Sequence, residues 1–269
     1  FLEISAHLSY ILYIDLESTL SNASKSNTSH KTIINNIILN KSLILSMICD
    51  MWLNTEIKSL KTVEWKNNKV VMIDQTKLPN ELVFVEYDDF NQVADAISTL
   101  VVRGAPAIGV SGAFGLALAV LQSSANTKDE LLSDLERAKK ILFATRPTAV
   151  NLGWGLEKIM NVAKSGNSVD QIREIVISTA KKMADEDIEI NKSMGKNGSV
   201  LFNDNDTIMT HCNAGALATV AYGTALGVIR ATRESGKNVK VIATETRPIQ
   251  QGSRLTAFEL KHDGFDVSL

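Results

Sequence analysis

One cysteine of this chain lies where a short apolar run meets a stretch of small residues. The segment IMTHCNAGALATVAYGTALG, residues 208–227, places His211, Cys212 and Asn213 at that junction. The run before Cys212 predicts a strand, and the Ala-rich stretch after it predicts a helix. The start of a helix carries partial positive charge and free N–H groups, which stabilise a thiolate. A lone cysteine is equally often a small buried side chain, so the local sequence leaves both interpretations open.

Three bends rich in Gly or Pro carry arginine and are candidates for binding an anion. They are VVRGAPAIGVSGAFG with Arg103, ATRPTAVNLGWG with Arg146, and ETRPIQQGSRLT with Arg247 and Arg254. Glycine lets a backbone approach a ligand closely, and a guanidinium group suits phosphate. The first bend matches neither a Walker A loop nor a GxGxxG loop, and a packed helix pair with a surface arginine explains it equally well.

Composition narrows the classes of partner. The chain has 269 residues, 45% of them hydrophobic, with a net charge of −2 and a pI of about 6.1, so no nucleic-acid partner is expected. Cys49 and Cys212 are far apart, which favours two reduced thiols and a cytoplasmic protein. No cluster has metal-ligand spacing, so we expect no metal and no other cofactor. The most apolar stretch, residues 101–121, contains Arg103, Pro106 and several glycines, so no membrane span is expected.

Residues 1–50 differ in composition from the rest of the chain. They are rich in Asn, Ser, Ile, Leu and Lys, contain neither Gly nor Pro, and hold no regular helical or strand period. We interpret them as a poorly ordered extension, or as residues encoded upstream of a start at Met51, rather than as a functional domain. Their beginning lacks a basic region and a small-residue cleavage site, so they do not resemble a signal peptide.

Residues 51–200 predict a small hairpin followed by a helical domain. TVEWKNNKVVMIDQTKLP, residues 62–79, contains two β-rich runs around an Asn-Asn pair, which is typical of a tight hairpin turn. Helical spacing of apolar residues predicts a mainly helical region over residues 88–197, with a first helix over 88–104. Two pairs have capping-box spacing, Thr127 with Glu130 and Ser168 with Gln171.

Residues 201–269 predict part of a Rossmann-like domain, which makes the fold class α/β. The order is strand, helix, strand, helix, strand, typical of a doubly wound parallel sheet. The first helix is expected from Ala214 to Gly236, directly after Cys212. Ligands of such sheets bind beyond the carboxyl ends of the strands, so residues 211–213 and 245–247 should share one rim. The sequence ends within the third strand, FDVSL, and the sheet is therefore expected to be incomplete at its C-terminus.

Four motifs together resemble the methylthioribose-1-phosphate isomerase family. They are VRGAPAIGVSGAFG, TRPTAVNLGWG, THCNAGALATVAYGTALG and ETRPIQQGSRLTAFEL, they occur in family order, and the resemblance covers roughly residues 60–269. The family is related to the regulatory subunits of translation initiation factor 2B and to archaeal ribose-1,5-bisphosphate isomerase. The resemblance implies a helical N-terminal domain, a Rossmann-like C-terminal domain and a homodimer.

The resemblance also implies an aldose–ketose isomerisation in methionine salvage. Its substrate, the small sugar phosphate 5-methylthioribose 1-phosphate, would become 5-methylthioribulose 1-phosphate. By motif, Cys212 would be one catalytic residue. The substrate-binding residues would be Arg103, Gly104, Ala105, Arg146 and Gln251. A thiolate can act first as base and then as acid, and whether hydrogen moves as a proton or a hydride stays open.

One part of the family pattern is absent from the sequence. The second catalytic residue of the family is an Asp in a Gly-Ala-Asp-Arg segment, followed by an Asn-Lys pair, and neither occurs here. Asp263 and Asp266 belong to a helix-to-strand turn and do not match it. We therefore expect an inactive fragment of a longer product, or else a shortened non-catalytic relative. One alternative function is ribose-1,5-bisphosphate isomerase. The other is a non-catalytic regulatory subunit like those of initiation factor 2B, and such a subunit would need no thiol at position 212.

Overall fold

The structure is a computed structural model that describes residues 60–269. The expectation for residues 1–50 lies outside the described residues. The described residues, 60–269, belong to one compact unit. The domain boundary expected near residue 200 stays a prediction.

The predicted hairpin is confirmed and belongs to a small antiparallel sheet. Asn67 and Asn68 make its turn, with φ of 51° and 59°, which asparagine tolerates better than most residues. The sheet also contains a third strand, which the sequence analysis did not predict, and its order is β1-β2-β3. The strands are β1 (Val63–Lys66), β2 (Lys69–Ile73) and β3 (Phe84–Tyr87).

The helical region is confirmed, and it contains five helices. They are α1 (Phe90–Ser98), α2 (Ala105–Gln122), α3 (Lys128–Thr145), α4 (Val150–Ser165) and α5 (Val169–Ser199). The first helix is shorter than expected, because the chain turns at Leu100, where φ is 66°.

The two expected capping boxes have different outcomes. Thr127 and Glu130 bond reciprocally at the start of α3, as predicted. At the start of α5, Ser168 accepts from the N–H of Gln171, but the Gln171 side chain accepts from the Asn167 N–H instead of that of Ser168. Helix α5 therefore has a side-chain cap at its start but lacks the reciprocal bond of a capping box.

Helix α2 is the centre of the core. It packs against α1, α3, α4 and α5, which accounts for its many small residues. Within the described residues it is the one helix long and apolar enough to cross a membrane by length and composition, and 78% of it is buried inside the molecule, as in a core helix. Arg103 precedes the helix and Pro106 lies in its first turn, where proline is tolerated, so neither residue interrupts it.

The second sheet is parallel, with the predicted alternation of strands and helices. Its order is β4-β5-β6. The strands are β4 (Thr207–Thr210), β5 (Lys240–Ala243) and β6 (Val267–Ser268). Helix α6 (Ala225–Glu234) connects the first two strands. A π-helical turn (Gly252–Thr256) that runs into α7 (Ala257–His262) connects the last two. The α/β fold class is therefore confirmed.

The helix expected directly after Cys212 does not begin there. Residues 213–224 form a connecting loop with one 3-10 turn at Ala216–Ala218, and α6 begins at Ala225. The loop has φ of 71° at Tyr222 and 84° at Gly223, values that a helix cannot contain. The positive end of a following α-helix is thus not what lies beside Cys212.

A small apolar cluster joins the antiparallel sheet to this loop. Leu217 and Ala216 of the loop pack with Ile73 at the end of β2 and with Leu255 of the π-helical turn. All four are almost completely buried. The cluster holds the loop after β4 against the end of the first sheet.

Candidate active site

Cys212 lies in a fixed turn at the carboxyl end of β4. Its φ is 59°, in the left-handed region, and its side chain is half-buried. Its N–H donates to Thr246 Oγ1 at 3.1 Å, and its carbonyl accepts from Thr256 Oγ1. Bonds on both sides of the residue stabilise a backbone conformation that is otherwise unfavourable for cysteine.

The ends of β4 and β5 meet at one rim, as the sequence analysis predicted. His211 Nδ1 lies 2.7 Å from Thr244 Oγ1, and that hydroxyl lies 3.2 Å from Thr246 Oγ1. His211 is exposed and hydrogen-bonded at this rim. Together with the bond from the Cys212 N–H to Thr246, these bonds tie His211 and Cys212 to the residues that follow β5.

Arg103, which directly precedes Gly104 and helix α2, is connected to the same rim. The Gln251 amide, in the orientation that satisfies both its ends, accepts from Arg103 Nη2 at 3.0 Å and donates to the Thr246 carbonyl at 3.1 Å. Two residues expected to bind substrate are therefore in direct contact. Because the Cys212 N–H donates to Thr246 Oγ1, Arg103 is linked through Gln251 and Thr246 to the backbone of Cys212.

The charges around Arg103 define the electrostatics of the site. Burial lowers the pKa of Arg103 most, the charge of Cys212 raises it, and Arg254 and Arg146 lower it further. The net direction is downward from the ordinary value. Cys212 and three guanidinium groups thus act on one another electrostatically, and a bound anion would relieve the repulsion among the arginines.

Arg254 and Arg247 follow the same strand but have different surroundings. Arg254 donates to the Leu78 carbonyl at 2.9 Å, which fixes its side chain. Arg247 pairs with Glu245 at 2.8 Å, and 78% of its side chain is exposed. The ion pair raises the pKa of Arg247. Of the two arginines in this bend, Arg254 acts electrostatically on Arg103, and Arg247 forms a surface ion pair.

Gly104 and Ala105 lie at the start of α2, beside Arg103. Gly104 is the N-cap of this 18-residue helix and has φ of 91°. The first turn of a helix leaves N–H groups free and carries partial positive charge, which suits a phosphate. Arg103 and the beginning of α2 thus offer an anion two kinds of favourable interaction.

Thr256 shapes this site but was not identified from the sequence. Thr246 and Thr256 hold the backbone of Cys212, and Arg254 acts on Arg103. The sequence placed Thr246 at the rim and Arg254 among the anion-binding candidates, whereas no local signal singled out Thr256. Asp263, which does not match the family's catalytic aspartate, is buried against Arg230 at 2.6 Å.

Curated proteins similar to this chain carry the name methylthioribose-1-phosphate isomerase. A methylthioribose-1-phosphate isomerase of Geobacter metallireducens is 49% identical over 213 residues, which are 78% of this chain and 62% of the relative. The enzyme of the same name from Geotalea uraniireducens is 51% identical over the same shares. The chain spans 62% of the length of these curated relatives.

Two solved structures have the same fold. One, described as 5-methylthioribose 1-phosphate isomerase from Pyrococcus horikoshii, is 44% identical with a TM-score of 0.76, over 79% of this chain and 60% of that one. The other, described as subunit delta of translation initiation factor eIF-2B from A. fulgidus, is 49% identical with a TM-score of 0.74, over 78% and 62%.

A family model gives the assignment that spans most of the described chain. The model of the initiation factor 2 subunit family matches residues 101–269, which contain Arg103, the Cys212 rim and the bend that carries Gln251. The chain belongs to the initiation factor 2 subunit family.

Proposed function

We propose that the protein containing this chain is an aldose–ketose isomerase that converts 5-methylthioribose 1-phosphate to 5-methylthioribulose 1-phosphate. The observation that carries the proposal is the series of hydrogen bonds that joins Arg103 through Gln251 and Thr246 to the backbone of the half-buried Cys212. A thiol in a site that also contains arginines suits a sugar phosphate, because guanidinium groups bind phosphate and a thiolate can act as a base. Relatives about 50% identical carry the name of this activity.

Each group in the site has a role in the proposed reaction. Arg103, Arg146 and the start of α2 bind the phosphate, and Gln251 holds the Arg103 guanidinium in place. The sugar ring opens, and one hydrogen then moves between carbons 1 and 2 without net oxidation of the substrate. Cys212 takes part in that hydrogen movement, since a thiolate can accept a proton and then return it.

Two other functions compete with this proposal. Ribose-1,5-bisphosphate isomerase would use a similar thiol and phosphate site, with a second phosphate in place of the methylthio group. A non-catalytic subunit is favoured by the initiation factor name of the A. fulgidus structure. A subunit without catalytic activity has no chemical need for a thiol between Arg103 and the rim threonines, and on that ground we favour the isomerase.

Replacement of Cys212 by serine tests the proposal directly. In the full-length protein, C212S should lower kcat on 5-methylthioribose 1-phosphate by about 100-fold or more, the usual contribution of a positioned acid–base group. The circular dichroism spectrum and the unfolding midpoint should stay close to those of the wild type. C49S is the matched control, because it removes the other cysteine of the chain and should leave kcat unchanged.

The same assay separates the competing functions. A wild-type protein that turns over ribose 1,5-bisphosphate faster than the methylthio substrate would identify the first alternative. A folded full-length protein that turns over neither substrate would favour the non-catalytic subunit. Unchanged turnover in C212S would remove Cys212 from the mechanism.

We further propose a cytoplasmic homodimer without nucleic-acid or membrane partners, and sedimentation of the full-length protein measures its oligomeric state.

A further inference from the structure

The buried carboxylate of Glu259 accepts several hydrogen bonds from the loop that follows Cys212. Glu259 Oε2 accepts from the Ala216 N–H at 2.7 Å, and Oε1 accepts from the Leu217 N–H at 3.0 Å and from Asn213 Nδ2 at 2.9 Å. The side chain of Glu259 is completely buried. A carboxylate only accepts hydrogen bonds, so it satisfies all these donors at once, which no neutral side chain of this size can do.

A buried arginine compensates the charge of this carboxylate. Arg230 Nη2 donates to Glu259 Oε2 at 3.0 Å, and the Arg230 guanidinium also contacts Asp263 at 2.6 Å. Burial acts to lower the pKa of Arg230, but the two carboxylates outweigh it and raise that pKa. Glu259 and Asp263 therefore share one cation, but only Glu259 has hydrogen bonds to the loop that follows Cys212.

The same segment of chain also holds Cys212 itself. Thr256 lies one helical turn before Glu259, and its hydroxyl donates to the Cys212 carbonyl and accepts from Asn213 Nδ2 at 3.2 Å. The Asn213 amide thus bridges Thr256 and Glu259. Residues 212–217 are fixed from one side by two side chains on successive turns, and these contacts also fix the backbone from which the Cys212 side chain extends.

We propose that Glu259 is a positioning residue for Cys212: it holds the loop of residues 213–217 so that the thiol faces Arg103 and the bound sugar phosphate. The proposal rests on the proposed function for its role in turnover. It carries a consequence that needs no turnover, since a thiol held beside a guanidinium group reacts faster with an alkylating agent than one that is not.

Two isosteric variants separate positioning from stability. E259Q and D263N each remove one of the two negative charges on Arg230, so both disturb the buried ion cluster. Only E259Q places an amide NH₂ against the loop donors and leaves some of them unpaired. Both are made in the full-length protein, and iodoacetamide alkylation of the peptide containing Cys212 is followed by mass spectrometry at neutral pH.

We expect alkylation of Cys212 to slow about tenfold in E259Q and to stay within about twofold of wild type in D263N, because only the first releases the loop. In turnover, E259Q should lower kcat by about 10- to 100-fold with little change in KM, as expected for a misplaced reactive group. Equal effects of the two variants, or an unchanged rate in E259Q, would overturn the proposal.

Two further results keep the test decisive. Should E259Q fail to fold, T256V keeps every charge and removes the hydroxyl that holds Cys212 and Asn213; it should slow alkylation in the same direction, and an unchanged rate would count against the proposal. If the wild type has no isomerase activity, the proposed function fails, and the alkylation rates still decide whether Glu259 positions the thiol.

Discussion

Replacement of Gly104 by alanine should destabilise the protein strongly, because two separate penalties meet at this position. Gly104 has φ of 91° and ψ of 137°, a region that is essentially restricted to glycine. An added Cβ would lie 2.3 Å from the Ala218 carbonyl oxygen and 2.4 Å from the Ala218 Cα. Both distances are far below van der Waals contact, so either α2 or the loop of Ala218 must move.

The loop that contains Ala218 cannot move without losing further bonds. Thr62 donates through its N–H to the Val220 carbonyl at 2.9 Å and through Oγ1 to the Ala216 carbonyl at 2.6 Å. The Val220 N–H donates to Asp187 at 2.8 Å. The loop is therefore held on both sides of Ala218, and the clash cannot relax cheaply.

The expected magnitude follows from the two penalties. The backbone conformation costs about 1–3 kcal/mol for a residue with a Cβ. Overpacking against a fixed backbone costs about 1–3 kcal/mol more, which gives a total of about 2–6 kcal/mol. G236A is the matched control, since Gly236 has a similar φ of 85° and an added Cβ there meets nothing within 4 Å. G236A should cost only about 1–2 kcal/mol.

Urea denaturation of the full-length protein measures both free energies of unfolding. We expect G104A to lose at least about 1 kcal/mol more than G236A, which is the smallest packing penalty of this kind. The loop of Ala218 directly follows Cys212, so G104A should lower turnover under conditions in which it is folded, and G236A should not. A G104A variant no less stable than G236A would refute the argument, because it would mean that α2 and the loop do not touch as described.

Two other predictions concern the anion site and a helix cap. R146M should raise KM for the sugar phosphate and reduce the stabilisation by inorganic phosphate in a thermal shift assay, because Arg146 acts on Arg103 in the same cluster; equal stabilisation of the variant and the wild type would exclude Arg146 from the anion site. Backbone N–H bonds from Asn126 and Thr127 hold the pKa of Glu130 below its ordinary value of 4.5. Glu130 therefore contributes stability that is present above pH 4.5 and is lost as pH falls through the lower, folded-state pKa. At neutral pH the wild type should therefore unfold at a higher temperature than E130Q, and this difference should disappear in acid. A difference that does not change with pH would contradict this account.

Local signals in the sequence were enough for the parts of the fold that local interactions determine. The Asn67-Asn68 turn and the Thr127–Glu130 capping box each depend on residues a few positions apart, and both are present. The second box shows the limit of such signals. Gln171 accepts from the N–H of Asn167 rather than that of Ser168, a choice between neighbouring donors that residue types do not determine.

The loop after Cys212 could not be predicted in the same way. Its alanines favour a helix, but the N–H groups of Ala216 and Leu217 bond to Glu259, and the Val220 N–H bonds to Asp187. These acceptors come from distant parts of the chain, and they compete directly with the intrahelical bonds that alanine would otherwise make. Tertiary hydrogen bonds thus outweigh helix propensity, which amounts to less than 1 kcal/mol per ordinary residue.

The loop after Cys212 leaves the residues of the candidate site the same, but it changes which group interacts electrostatically with the thiol. The sequence argument placed the start of an α-helix directly after Cys212 and assigned to it the positive charge that a reactive thiol needs. In the structure α6 begins only at Ala225, and the Arg103 side chain, which donates to Gln251, interacts electrostatically with Cys212. A side-chain cation can be removed by one substitution without unfolding a helix, whereas a helix dipole cannot. The function proposed for Cys212 should therefore depend both on Arg103 and on the contacts that hold the loop after Cys212, and the Glu259 variant measures the second dependence.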